Sequence, residues 1–216
     1  MSTALIAIDL INPFDFKGAA ALLRQTWTIL PNLRRLLQHA RKVGAPVIYC
    51  NDNFGQWRSN FHANIDACAG EGAAGAELVR HLLPAPGDYF VLKPRLSAFF
   101  QTPLDLLLEQ LQAKRLVLAG IAADSCVLAT AIDAHMRHYE VAVASDAVAA
   151  QTTARTQRAL QLMRIDNPVR VIRTRSALRW FERGVSSPAV RQRPGPRERR
   201  DRAPVATNRA AHAGQG

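Results

Sequence analysis

No run of apolar residues in this 216-residue chain reaches the roughly 18 needed to cross a bilayer. The opening stretch, MSTALIAIDLINPFD, lacks the basic flank of an export signal and meets an aspartate at once, so it is expected to form a first strand. Cysteine is scarce. Cys50, Cys68 and Cys126 form no CxxC pair and no even framework, which excludes a disulfide scaffold and suggests reduced thiols. No GxGxxG follows the first strand, which argues against a dinucleotide-binding loop. The expectation is a soluble, cytoplasmic protein that needs no organic cofactor.

What is present is a globular composition, 48% hydrophobic, in a chain of a length that suits one well-buried domain. The net charge of +11 is unevenly spread: residues 184–216 carry seven arginines against two acids. That segment, GVSSPAVRQRPGPRERRDRAPVATNRAAHAGQG, has valine as its only large aliphatic residue and no aromatics. It can bury too little apolar surface to offset its ordering entropy, so it is expected to be a disordered tail behind a domain spanning 1–183. An arginine-rich tail can contact nucleic acid. A solvated extension is expected instead, because the aromatics that stack on bases are missing.

Apolar runs and helical patterns alternate along the domain. ALIAIDLI (4–11), APVIYCND (45–52), DYFVLK (88–93), RLVLAGI (115–121), EVAVASDA (140–147) and VRVIRT (169–174) read as strands. Helices are expected at 30–44, 74–84, 102–114, after 121 and at 153–165. Strands separated by helices imply an α/β fold, a mostly parallel sheet covered on both faces. Ligands of such sheets sit beyond the carboxyl ends of the strands, where strand order reverses.

Those ends hold Asp9, Lys93 and Cys126. Asp9 interrupts an apolar run, where a carboxylate is costly to bury unless paired or used. Cys126 falls in the first turn of its helix, where free N–H groups and the dipole favour a thiolate, and a nearby ammonium would favour it further. Thiol, carboxylate and ammonium together would make a nucleophile, a base and an electrostatic activator. Each also has a plain reading: a small buried side chain, a helix cap, a solvated loop lysine. Spacing alone leaves both readings open.

The segments IAIDLINPF, VLKPRLSAFFQTPLDLLLEQL and LVLAGIAADSCVLATAIDAHMRHYEVAVASDAVAA resemble the signature segments of the isochorismatase-like cysteine hydrolases, over roughly residues 3–175. That superfamily includes nicotinamidases, N-carbamoylsarcosine amidohydrolases and isochorismatases. The resemblance implies a three-layer α/β/α Rossmann-like sandwich with a six-stranded parallel sheet. It also implies an Asp–Lys–Cys triad at Asp9, Lys93 and Cys126, and a cis peptide at Ile121–Ala122. The backbone N–H groups of Ala122 and Cys126 would then meet an oxyanion.

Metal-dependent nicotinamidases carry an Asp-x-His pair after the second strand. Here Asp52 is followed by Asn53 and Phe54, so no metal is expected. The same loop, NDNFGQWRSNF, offers Phe54, Trp57 and Arg58 as aromatic walls and a guanidinium for a small planar acid amide. The expected activity is C–N hydrolysis of a small amide, ureido or imide compound. The alternatives are vinyl-ether hydrolysis and a non-catalytic binding protein of the same fold. The expected partners are a small-molecule substrate and further copies of the chain, with no membrane.

Overall fold

The computed structural model describes residues 2–182 apart from 59 and 166–168. The expected tail at 184–216 lies outside the described residues. Strand β1 (Ser2–Ile8) is followed by helix α1 (Ala19–Lys42), β2 (Val47–Asp52), α2 (Phe61–Ala69), α3 (Ala76–Arg80) and β3 (Tyr89–Lys93). Then come α4 (Leu104–Gln110), β4 (Ala113–Ile121), a π-helical turn (Ala123–Val127), α5 (Leu128–Met136) and β5 (Glu140–Ala149). Helix α6 (Thr153–Ile165), β6 (Arg170–Ile172) and α7 (Thr174–Glu182) end the described chain. Among the described residues no helix is long and apolar enough to cross a membrane.

The six strands form one parallel sheet in the order β3-β2-β1-β4-β5-β6. The chain winds outward from β1 to β3, then returns to the other side of β1 and winds outward again. Strand order therefore reverses between β1 and β4, which fixes the crevice for a ligand at their carboxyl ends. Side chains alternate across each strand. In β1, Leu5 and Ala7 enter a core shared with α1, α2, α3 and α7. Ala4, Ile6 and Ile8 enter a second core shared with α4, α5 and α6. Both faces being covered, β1 is apolar from Ala4 to Ile8, and Ile6 and Ile8 are fully buried. Each such burial is worth about 1.5–3 kcal/mol.

The β1–β4 junction is unusually close. At Gly120, φ is +124°, and a Cβ there would sit 2.1 Å from the carbonyl oxygen of Ile8. Only glycine fits a conformation and an approach of that kind. Strand β4 ends one residue later, and the Ile121–Ala122 peptide is cis.

Helices α1 and α2 differ from the sequence expectation, and α7 (Thr174–Glu182) is a further helix outside those expected. Helix α1 begins at Ala19, well before residue 30, and passes straight through Pro31. The missing Pro31 N–H falls on the solvent face, while Leu22, Ile29, Leu30, Leu33 and Leu36 hold the inner face across it. Helix α2, not anticipated, is capped by Asn60, whose side chain accepts from the Ala63 N–H at 2.9 Å. Its Phe61 ring stacks on Phe90 of β3 with centroids 4.6 Å apart.

Candidate active site

Asp9 is the first residue beyond β1 and adopts a left-handed backbone, φ 50°. Such a conformation is uncommon outside glycine and needs support. Its own N–H donates to the Cys50 carbonyl at 3.0 Å. Its Oδ1 accepts the Asp52 N–H at 2.7 Å, and its Oδ2 lies 3.0 Å from Lys93 Nζ. Lys93 ends β3 directly opposite Asp52 in the β2–β3 register. Its side chain is fully buried. The ammonium donates to Cys126 Sγ at 3.4 Å and to the Arg95 carbonyl at 3.3 Å, with Asp52 Oδ2 at 3.7 Å. Cys126 sits in the π-helical turn after β4, 9% exposed, in the core layer of α4–α6. The three residues named from strand ends thus converge on one ammonium.

Burial governs the protonation of this cluster. Desolvation pushes the Asp9 carboxyl above its ordinary range, against the pull of Lys93 and Cys126. Burial lowers Lys93, but the Asp9 and Cys126 charges outweigh it and raise the ammonium overall. The Cys126 thiol is pushed up to about 12 by desolvation first and by the Asp9 charge second, with Lys93 opposing both. The thiolate expected from the helix start and the lysine is therefore not the resting form. A raised thiol beside a carboxylate and an ammonium is an arrangement in which the thiol proton can leave as the sulfur forms a bond. Cys50 and Cys68 are buried, and burial raises both thiols, Cys68 to about 11.

A cavity of about 420 Å³ opens above the cluster, lined by Asp9, Cys126, Ala122, Phe16 and Phe54 among others. Of the residues expected to bind substrate, Phe54 lines it. Trp57 and Arg58 do not: both are exposed, Trp57 by 78%. A tight turn accounts for this placement. Gln56 N–H donates to the Asn53 carbonyl at 2.8 Å and Gly55 takes φ 72°, which carries the chain away from the cavity after Phe54. The guanidinium that does line the cavity is Arg155, near the start of α6, ion-paired with Asp124. Its only sequence signal is a position just after β5, the strand beside β4.

His62 is exposed and meets the Phe90 ring edge-on at 6.1 Å between centroids. Among the described residues no group of three or more His, Cys, Asp or Glu is arranged to hold a metal ion. The donors present do not fit the metal site of metal-dependent nicotinamidases.

A doubly wound parallel sheet with a thiol, a carboxylate and an ammonium gathered at its switch point defines a three-layer α/β enzyme. Residues 3–176 match the Isochorismatase domain family. The chain is 36% identical over 160 residues to the isochorismatase family protein YaaI of Bacillus subtilis, across 74% of this chain and 87% of that one. It is 29% identical over 170 residues to the ureidoacrylate amidohydrolase RutB of Cronobacter sakazakii, across 67% of this chain and 73% of that one. N-carbamoylsarcosine amidase from Thermoplasma acidophilum has a similar structure, with a TM-score of 0.61 at 29% identity, over 81% of this chain and 97% of that one. The chain belongs to the isochorismatase-like hydrolase family.

Proposed function

We propose that this hydrolase cleaves a C–N bond of a small amide, ureido or imide compound through a thioester on Cys126. The observation that carries the reading is the single buried ammonium of Lys93, within 3.0 Å of Asp9 Oδ2 and 3.4 Å of Cys126 Sγ. Asp9 takes the Sγ proton as Sγ bonds to the substrate carbonyl carbon, and the carbonyl π pair moves onto oxygen. The N–H groups of Ala122 and Cys126 stabilise that oxyanion, and Lys93 stays charged beside the sulfur. When the tetrahedral adduct collapses, the C–N bond breaks and the Asp9 proton goes to the departing nitrogen. Water then gives a proton to Asp9 and its oxygen to the thioester carbon. The C–S bond breaks and Sγ recovers the proton. The products are an amine or ammonia and a carboxylic or carbamic acid.

Relatives named as amidohydrolase and amidase support the C–N reading. The test is ammonia release from a panel of small amides and ureides, with an acyl adduct on Cys126 sought by intact mass after rapid quenching. Pyruvate from a vinyl ether, with no ammonia from any amide, would favour the other branch of the family. Undiminished turnover by Cys126→Ala would remove the nucleophile assignment.

A further inference from the structure

The charges around the cavity are unevenly compensated. Lys93 is taken up by Asp9 at 3.0 Å, and Arg155 by Asp124 and by the Gln151 side-chain oxygen at 2.7 Å. The remaining charged lining residue is Asp52, with a side chain 34% exposed. One of its oxygens accepts the Phe54 N–H at 2.7 Å, and the other reaches Lys93 only at 3.7 Å. With the lining residues Asp9, Asp52, Asp124 and Arg155 and the buried Lys93 behind them, the cavity carries one net negative charge.

A second group points the same way. Asn12 lines the cavity at 7% exposure, and its Oδ1 is fixed by the Phe14 N–H at 2.8 Å. That bond settles the orientation of the amide, since a backbone N–H requires the oxygen. Among the described residues the Asn12 Nδ2 has no hydrogen-bond partner. Asn12 Nδ2 is not among the fully buried unpartnered atoms, so it faces the open cavity, where a substrate oxygen can take the place of water.

We propose that the cavity selects uncharged or cationic amides and ureides over carboxylate-bearing ones, with Asp52 receiving substrate N–H groups and Asn12 Nδ2 donating to a substrate oxygen. The substrate class named here rests on the C–N hydrolase reading above. It differs from the acid amide that an Arg58 contact would have suited. A unit charge about 6–8 Å from a reacting anion, partly screened, is worth about a factor of ten in rate.

Paired thiol reagents read this charge without any known substrate. The rate of Cys126 alkylation by iodoacetamide is compared with that by iodoacetate, each normalised to N-acetylcysteine. The neutral reagent is expected to be favoured about tenfold beyond the free thiol. In Asp52→Asn, which keeps the backbone N–H to Asp9, the ratio should fall to within about twofold of it. In Arg155→Gln it should widen. A normalised ratio near one, a preference for iodoacetate, no response to Asp52→Asn, or failure of both reagents to reach Cys126 would each overturn the proposal. N-carbamoylglycinamide and N-carbamoylglycine separate the two readings. Charge discrimination at Cys126 without ammonia release from any amide or ureide sinks the hydrolytic reading alone. Faster ammonia release from N-carbamoylglycine sinks the charge selection alone. Asn12→Ala should raise KM for the neutral ureide several-fold with kcat less affected, and an unchanged KM would remove Asn12 from the proposal.

Discussion

Lys93 Nζ lies 3.4 Å from Cys126 Sγ although β3 and the turn after β4 stand on opposite sides of β1. The lysine bridges that gap from a strand end two positions away from β1, with its stem fully buried. Asp9, at the end of the strand between them, holds the other side of the ammonium. The contact links the two halves of the sheet as well as the Asp9 carboxylate and the Cys126 sulfur.

Lys93→Met should therefore damage both turnover and stability. Removing one partner of a buried pair strands the other, at a cost of about 3–5 kcal/mol. Adding Asp9→Asn should return part of that loss, because the stranded carboxylate is gone. Urea unfolding of the two single variants and the double variant measures the coupling. Strictly additive losses would show that the ion pair does not hold the halves together.

A raised Cys126 thiol has a definite pH signature. Below a pKa of about 12 the thiolate fraction of the free enzyme rises about tenfold per pH unit. Alkylation by iodoacetamide should therefore climb from pH 7 to 10 without levelling. The folded state also holds this proton more tightly than the unfolded chain, whose thiol titrates near its ordinary 9.0. The stability this contributes is complete below about 9 and is lost as pH rises toward 12. A plateau in alkylation near neutral pH would mean a resting thiolate after all.

Much of this architecture is legible in the residues themselves. The runs at 4–11 and 115–121 are apolar apart from Asp9 and Arg115 because both sheet faces are covered, and α6 spans the expected 153–165. The expected start at residue 30 misses the first part of α1, which continues through Pro31 because a proline costs less where the lost N–H faces solvent. The positions of the proposed triad follow from motif resemblance and strand ends. The protonation state of Cys126 does not, because it depends on how far tertiary packing excludes water. Asn12 and Arg155 become site residues only when the loops after β1 and β5 fold back over the β1–β4 crevice.

Gly120→Ala and Gly55→Ala should separate strain from collision. Both glycines have positive φ, 124° and 72°. A Cβ at Gly55 meets nothing within 4 Å, whereas at Gly120 it would stand 2.1 Å from the Ile8 carbonyl oxygen. The first change should cost about 1 kcal/mol, the second more than about 3 kcal/mol with loss of turnover. Equal melting temperatures for the two variants would contradict the close β1–β4 approach.

Phe54 and Trp57 lie three residues apart in one loop, yet they should behave differently. Phe54 packs on the α1-side core and lines the cavity above Cys126, and its N–H is tied to Asp52. Phe54→Ala removes an aromatic wall close to where a planar substrate would lie, so kcat/KM should fall about tenfold or more, chiefly through KM. Trp57 is 78% exposed beyond the turn at Gly55 and forms no part of the wall. Trp57→Ala should leave kcat/KM within about twofold, as for other surface changes. Steady-state kinetics on one hydrolysed amide decides between them. An equal loss in both variants would mean that residues 53–58 fold over the substrate during turnover, restoring Trp57 and Arg58 to the binding site that the loop sequence suggests.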